Sequence, residues 1–359
     1  MSDLPGIGRR QLLAGAGALA AGAGLLGLTP AQAVPVDEGV TKFPMPAGGD
    51  SVRVLVTGDA GTGTRTQWAV ADAARAFHAR EPFDLALGLG DNIYEAGPVG
   101  DNDIQFAAKF EEPNTGLDFP WLMTLGNHDN TAVFPGDGGW LLRGDHEVGY
   151  HAHSPRWWMP SRYYSVRVPQ PRPVVEFFVL DLNPLASYIP LPLAGYWAVD
   201  GQYMNEQRAW LDRALAESPA RWKVVCTHHP YLSNGSHGNA GRYEGLDIEP
   251  LNGVHVRRFF EDHVLGRVQF VFSGHDHCLQ VLEPTTASKG TRQIVSGAAS
   301  KTGGAWAADG SDDTPALFQS FHQLGFMAVE FDAAGVDLRV VTVDPATGAG
   351  TEEFRRKLA

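Results

Sequence analysis

Five times along this chain a short apolar run stops at a turn and is followed at once by Asp, Asn, Tyr or His. Residues 52–57 lead into Gly58-Asp59-Ala60-Gly61, and residues 83–89 into Gly90-Asp91-Asn92-Ile93-Tyr94. Residues 120–125 lead into Gly126-Asn127-His128-Asp129, 222–226 into Thr227-His228-His229-Pro230, and 268–272 into Ser273-Gly274-His275-Asp276-His277. Short apolar runs alternating with amphipathic stretches read as an α/β protein. In such sheets the carboxyl ends of the strands open on the crevice where ligands bind. A single Asp or His after a strand is ordinarily a helix cap or a structural hydrogen-bonding group. Five strand ends that all carry metal-suited donors are another matter, since clustered His and carboxylates mark metal chemistry.

The same periodicity predicts strands at 52–57, 83–87, 120–125, 163–168, 174–180, 222–227, 268–272, 279–282 and 293–296. Helices are predicted at 65–80, 103–112, 204–217 and 254–265, with Asn205 as a plausible N-cap of the third. A closing hairpin is expected from 326–331 and 336–343, and long surface loops at 185–201 and 303–310. No internal linker or charge block interrupts residues 51–359, so they read as one catalytic domain.

Residues 1–33 read as an address. Arg9-Arg10 precedes a Gly/Ala/Leu stretch, and Ala31-Gln32-Ala33 forms an A-x-A cleavage site. The paired arginines resemble a twin-arginine signal, so export through that machinery to the periplasm or outside is expected. Pro- and Gly-containing residues 34–50 then form a linker. No stable membrane insertion is expected after cleavage, because no later segment approaches spanning length.

Composition narrows the partners. With 28 Lys+Arg against 41 Asp+Glu, the formal charge of −13 argues against a sequence-independent nucleic-acid binder. A phosphorylated substrate stays possible, because bound metal ions invert the local field of an acidic protein. Two cysteines, Cys226 and Cys278, cannot make a disulfide framework, and free buried thiols are the expectation.

Other readings of the motifs fail on spacing. The segment Gly58–Thr64 lacks the Gly-Lys-Ser/Thr ending of a phosphate loop and the G-x-G-x-x-G of a dinucleotide site, and His228-His229 lacks the H-E-x-x-H pattern. Seven donors remain: Asp59, Asp91, Tyr94, Asn127, His228, His275 and His277. That exceeds the needs of one ion. A two-metal site fits, with the two oxygens of Asp91 able to bridge. A phenolate at Tyr94 is a hard anionic donor that suits trivalent iron.

The ordered set Gly-Asp, Gly-Asp-x-x-Tyr, Gly-Asn-His-Asp, His, Gly-His-x-His resembles the purple acid phosphatases of the calcineurin-like metallophosphoesterase superfamily, most closely their small, tartrate-resistant type. Pro120-Trp121, Gln207-Arg208-Ala209-Trp210-Leu211, Leu279-Gln280 and Ser296-Gly297-Ala298 extend the similarity. The resemblance implies a four-layer α/β sandwich, two mixed β-sheets packed face to face and flanked by helices. It implies Fe(III) held by Asp59, Tyr94 and His277, with Asp91 bridging to Fe(II), Zn(II) or Mn(II) held by Asn127, His228 and His275. It further implies an acid phosphatase that hydrolyses small phosphate monoesters by attack of a metal-bound hydroxide, acting as a monomer. His128 would contact the phosphate. His237, nine positions after His228, would protonate the leaving group. His229 replaces an aromatic residue of the small type, and a hydrogen bond to a metal ligand is the simplest expectation for it. A phosphodiesterase or nucleotidase with the same metals, and a non-catalytic phosphate- or metal-binding protein, are the alternatives.

The address makes one firm expectation. Mass spectrometry of exported material should find Val34 as the first residue; an intact Met1 or Ser2 terminus would refute the signal reading.

Overall fold

Side chains leave a β-strand alternately to its two faces, and in this chain that alternation sorts the apolar residues into separate cores. The computed structural model describes Pro44, residues 49–307 and residues 313–359. The expected signal segment 1–33 and most of the expected linker lie outside the described residues, as do positions 308–310 of the second long loop.

One sheet contains β1 (Ser51–Thr57), β2 (Leu85–Gly88), β3 (Trp121–Met123), β4 (Trp157–Trp158), β12 (Leu324–Asp332), β13 (Gly335–Val343) and β14 (Gly350–Lys357), in the order β14-β13-β12-β1-β2-β3-β4. The other contains β5 (Tyr164–Val168), β6 (Val175–Val179), β7 (Trp222–Cys226), β8 (Phe270–Ser273), β9 (Leu279–Leu282), β10 (Arg292–Ser296) and β11 (Ala316–Ser320), in the order β11-β9-β10-β8-β7-β6-β5. Both are mixed. β1 to β4 run parallel, as do β6, β7, β8 and β10, while the remaining pairings are antiparallel.

Phe177 of β6 points between the sheets, where it meets Phe331 of β12 edge-on at 5.7 Å. Its neighbour Phe178 joins a different core with Val225 and Val271. That outer core is closed by α6 (Gln202–Glu217) through Met204, Leu211 and Leu215, and by α7 (Val254–Phe259) through Val256 and Phe259. On the other side α1 (Arg65–His78) lies on the first sheet, with Phe77 edge-on to Phe326 at 6.1 Å. Helices, sheet, sheet and helices thus form four layers, as the resemblance implied.

Several local expectations need correction. The stretch 185–201 is not a plain loop: α4 (Asn183–Ala186) and α5 (Leu191–Trp197) occupy it, and Trp197 is buried against Tyr203 at 4.3 Å. Asn205 does not cap α6. The helix starts at Gln202, because Tyr203 and Met204 are buried in its first turn and the Tyr203 hydroxyl donates to Asp181 Oδ2 at 2.9 Å. Two predicted helices change pitch midway. α2 (Ile104–Phe106) continues as a π-turn over Ala107–Glu111, and α7 as one over Phe260–Val264. Phe83 leaves the β2 strand to stack on Phe77 at 5.1 Å. A further short helix, α3 (Asp145–Tyr150), and the strands β4, β11 and β14 carried no readable period.

Candidate metal centre

Because β1, β2 and β3 are parallel neighbours, their carboxyl ends share one edge, and β7 and β8 do the same in the facing sheet. The two edges meet. The His275 N–H donates to Asp59 Oδ2 at 2.9 Å, and His228 Nδ1 donates to the Leu89 carbonyl at 2.8 Å. Such approach leaves no room for side chains between the turns. A Cβ on Gly126 would fall 2.2 Å from Asp91 Oδ1, and one on Gly274 2.5 Å from Asp59 Oδ2. The backbone is bent to match. Asp59, Asp91 and His275 sit at φ of 59°, 54° and 69°, a region that costs a non-glycine residue about 1–3 kcal/mol and that clusters at functional sites.

All seven sequence-derived donors come together, in two adjoining groups. In one, the Tyr94 hydroxyl donates to Asp59 Oδ1 at 3.0 Å and lies 3.1 Å from His277 Nε2, which is itself 3.5 Å from Asp59 Oδ1. In the other, Asn127 Oδ1 lies 2.8 Å from His228 Nε2 and 3.1 Å from His275 Nδ1, and the two imidazole nitrogens are 3.2 Å apart. Asp91 stands between the groups. Its Oδ1 is 3.5 Å from His228 Nε2 and accepts from the His128 N–H at 2.9 Å.

The second group is a cluster of lone pairs. Asn127 Nδ2 donates to the Gly136 carbonyl at 2.7 Å, which turns Oδ1 inward. With the Nδ1 proton of His228 committed to Leu89, a neutral His228 presents the lone pair of Nε2 to that oxygen and to Asp91. A cation among them satisfies every acceptor at once, which is the chemistry of a metal site. Asp59, Asp91 and His228 each place a ligand atom within 4.8 Å of the others.

The electrostatics agree. Burial, and then the neighbouring His237, depress His277 to about 4 and hold His275 well below the ordinary imidazole value, so both offer lone pairs at neutral pH. Burial penalises both carboxylates. It is outweighed at Asp91 by His228 and His128, whereas Asp59 is pushed up, so Asp91 is the member that keeps its charge. Burial and the two carboxylates also hold the Tyr94 proton in place, so that hydroxyl ionises only against a strong positive charge.

His128 and His237 border the same space. The His128 N–H donates to Asp91 Oδ1 at 2.9 Å, its Nδ1 donates to the Glu95 carbonyl at 2.6 Å, and its ring lies 4.4 Å from that of Tyr94. The His237 ring lies 4.3 Å from His275 and 5.8 Å from His277, with Nδ1 on the Glu244 carboxylate. Burial opposes a charge on His237, but Glu244 and Asp276 prevail and push it up to about 9. His229 departs from expectation. Its Nδ1 has no hydrogen-bond partner, and the buried ring packs instead 4.7 Å from His275 and 5.2 Å from His228. Cys226 and Cys278 are buried free thiols, as expected.

Sequence reasoning missed the groups that hold the turns. Asp129 accepts from Gly126 N–H at 2.8 Å and Ile93 N–H at 3.0 Å, tying the third motif to the second. Asn92 Nδ2 reaches the Thr124 carbonyl and Glu147 Oε2, both at 2.8 Å. Buried Arg162 joins Asp181 Oδ2 at 2.8 Å to Asn130 Oδ1 at 3.0 Å. At the rim, Lys301 Nζ sits 3.5 Å above the Tyr94 ring and 3.1 Å from Glu95 Oε1. Apart from Asp129 with Gly126, three residues away, these partnerships join residues far apart in sequence and carry no spacing signal.

The calcineurin-like phosphoesterase family matches residues 52–279, more than half of the chain. The chain belongs to the calcineurin-like phosphoesterase family. As a calcineurin-like phosphoesterase it is a metal-dependent phosphoester hydrolase, and Asp59, Asp91 and His228 form a candidate metal-binding group in it. Purple acid phosphatase 4 of Arabidopsis thaliana is 28% identical over 316 residues, covering 85% of this chain and 83% of that protein. Tartrate-resistant acid phosphatase type 5 of Oryctolagus cuniculus is 27% identical over 219 residues, covering 59% of this chain and 60% of its own. Among solved structures, GAP50, the anchor in the inner membrane complex of Plasmodium, shares the fold with a TM-score of 0.64 at 19% identity, covering 86% of this chain and 89% of that one.

In this calcineurin-like phosphoesterase the buried Glu147 offers a test of the turn network. Burial and then the neighbouring Asp129 raise its pKa well above 4.5, so it stays protonated, with Oε2 accepting from Asn92 Nδ2 at 2.8 Å. A group with a raised folded pKa contributes stability that is complete below its unfolded pKa and lost as pH rises toward the folded one. Glu147→Gln keeps the shape of the side chain and an acceptor for Asn92 without the titration. Thermal melts should therefore show Glu147→Gln within about 1 kcal/mol of wild type near pH 4.5 and gaining on it as pH rises to 7. A deficit that grows with pH would contradict the assignment.

Proposed function

We propose that this phosphoesterase is an exported acid phosphatase of the small, tartrate-resistant purple type, hydrolysing small phosphate monoesters. The observation that carries the reading is the Tyr94 hydroxyl, 3.0 Å from Asp59 Oδ1 and 3.1 Å from His277 Nε2. A phenol in that position makes the first group a set of hard anionic donors suited to Fe(III). The second group, Asn127, His228 and His275, suits a divalent Fe, Zn or Mn ion, with Asp91 shared. The names of the similar plant and rabbit proteins favour the same reading. Arg9-Arg10 and Ala31-Gln32-Ala33 support export by the twin-arginine machinery before the chain works as a monomer.

When bound, the ion pair would supply positive charge against the phosphate and lower the pKa of water at the site. The side chains of this chain do the rest. Asp59 and Asp91 would hold the two ions and offset part of their charge. His128 lies over Tyr94, its Nδ1 fixed by the Glu95 carbonyl, so Nε2 is the nitrogen left to meet a phosphate oxygen. His237 stands on the opposite side, beside His275 and His277, where a leaving oxygen needs a proton.

Protein purified with its own metals should be pink to purple and active on a nitrophenyl phosphate at acid pH. Tyr94→Phe should lose the visible band while keeping its melting temperature within a few degrees, since one hydroxyl among several donors is removed. A colourless wild-type protein containing zinc alone, with full activity, would place it outside the purple group.

A further inference from the structure

Glu244 is a residue that no motif singled out, and four observations converge on it. First, its backbone is in the left-handed region at φ 56°, within the turn Tyr243–Gly245. Among the described residues, five that are not glycine have positive φ, and three of the others are Asp59, Asp91 and His275. Strain of this kind persists only where the surroundings impose it, and it gathers at functional sites. Second, Glu244 grips His237 at two points. Its carboxylate takes the Nδ1 proton, and its N–H donates to the His237 carbonyl at 3.0 Å.

Third, the turn is anchored to the strand end that carries His228. The buried Tyr243 hydroxyl donates to the Pro230 carbonyl, and the Tyr243 N–H donates to the Asn252 carbonyl at 3.0 Å. Fourth, the other side of His237 is fixed as well, its N–H donating to Asp276 Oδ1 at 2.7 Å and its ring packed 4.3 Å from that of His275 at a 33° tilt. His237, Glu244 and His275 also have ligand atoms within 4.8 Å of one another. A third metal is not the better account, because His237 Nδ1 already faces Glu244 and His275 Nδ1 faces Asn127 and His228.

We infer that Glu244 is the positioning residue for His237: its carboxylate fixes the Nδ1–H tautomer and the ring orientation, leaving Nε2 to deliver a proton to the leaving oxygen. This rests on the reading of His237 as the leaving-group acid. In the step, water adds to phosphorus, the bond from phosphorus to the ester oxygen breaks, and the Nε2 proton passes to that oxygen. The imidazole is left neutral with Nδ1–H still donating to the Glu244 carboxylate, and solvent restores the lost Nε2 proton. Exposed ion pairs of the same composition do no more than hold two side chains together; here the imidazole is pinned from both sides against the donor cluster.

The test is kcat and KM for an alkyl phosphate and a nitrophenyl phosphate in the metal-loaded wild type, His237→Ala, Glu244→Gly, Glu244→Gln and the double variant His237→Ala/Glu244→Gly. Glycine suits a φ of 56°, so Glu244→Gly removes the carboxylate without unseating the turn. General acid catalysis contributes about 10²–10⁴-fold, so His237→Ala should lower kcat on the alkyl ester by that range and on the aryl ester far less. Glu244→Gly should lose about tenfold or more of kcat on the alkyl ester, with KM and metal content unchanged. Glu244→Gln should recover most of the loss, because its amide oxygen still accepts the Nδ1 proton. In the His237→Ala background, removing Glu244 should change nothing further. Equal losses on both esters, a lowered metal content, or a Glu244 effect that persists without His237 would overturn the positioning role while leaving His237 as the acid. A His237→Ala variant with no leaving-group dependence would overturn both.

Discussion

Two carboxylates, Asp59 and Asp91, are buried side by side with His228, His275 and His277 packed around them. Removing such charges from water costs several kcal/mol each unless a counter-charge replaces the lost hydration. His228 and His128 compensate Asp91 in part, and Asp59 answers by holding its proton more tightly. His275 and His277 meanwhile are kept neutral by the same burial. Donors that suppress one another's charge in this way are matched only by cations placed between them, and the surrounding structure can be understood as what keeps them facing each other.

That task falls to the turns and to what lies behind them. Parallel strands in each sheet bring their carboxyl ends to one edge, and packing the sheets face to face brings the edges together. The turns are strained at Asp59, Asp91 and His275. They are paid for by buried groups behind them: Asp129 gathers the N–H groups of Gly126 and Ile93, while Arg162 links Asn130 to Asp181. Fixed in this way, the two donor groups sit on rigid elements, and the residues proposed to meet substrate, His128 and His237, are held from behind by Glu95 and Glu244.

The strand ends were legible because the signal was local: an apolar run, a turn, then a donor. Asp59, Asp91, Tyr94, Asn127, His128, His228, His275 and His277 all follow such runs directly. His237 came from a resemblance in spacing, and Glu244, seven residues on, had neither a run before it nor a periodic neighbour. The same reason hides Glu147 and the pair Arg162 and Asp181, whose partners are set by tertiary contact alone. In the fold, β14 escaped because Gly350–Lys357 is an edge strand with charged residues along it, as an exposed edge requires. The two residues of β4 are too few to show a period, and the hydrophobic run into Trp197 that forms α5 resembled a loop because of its prolines.

The central claim is that two adjoining donor groups share Asp91 and hold two ions. Elemental analysis of the natively loaded protein tests it most directly, with ions counted per chain in wild type, His277→Ala and Asn127→Ala. His277 belongs to the group around Tyr94, and Asn127 to the group around His228. The account predicts two ions in the wild type and a drop toward one in each variant. A wild type that binds a single ion, or variants that both keep two, would contradict it.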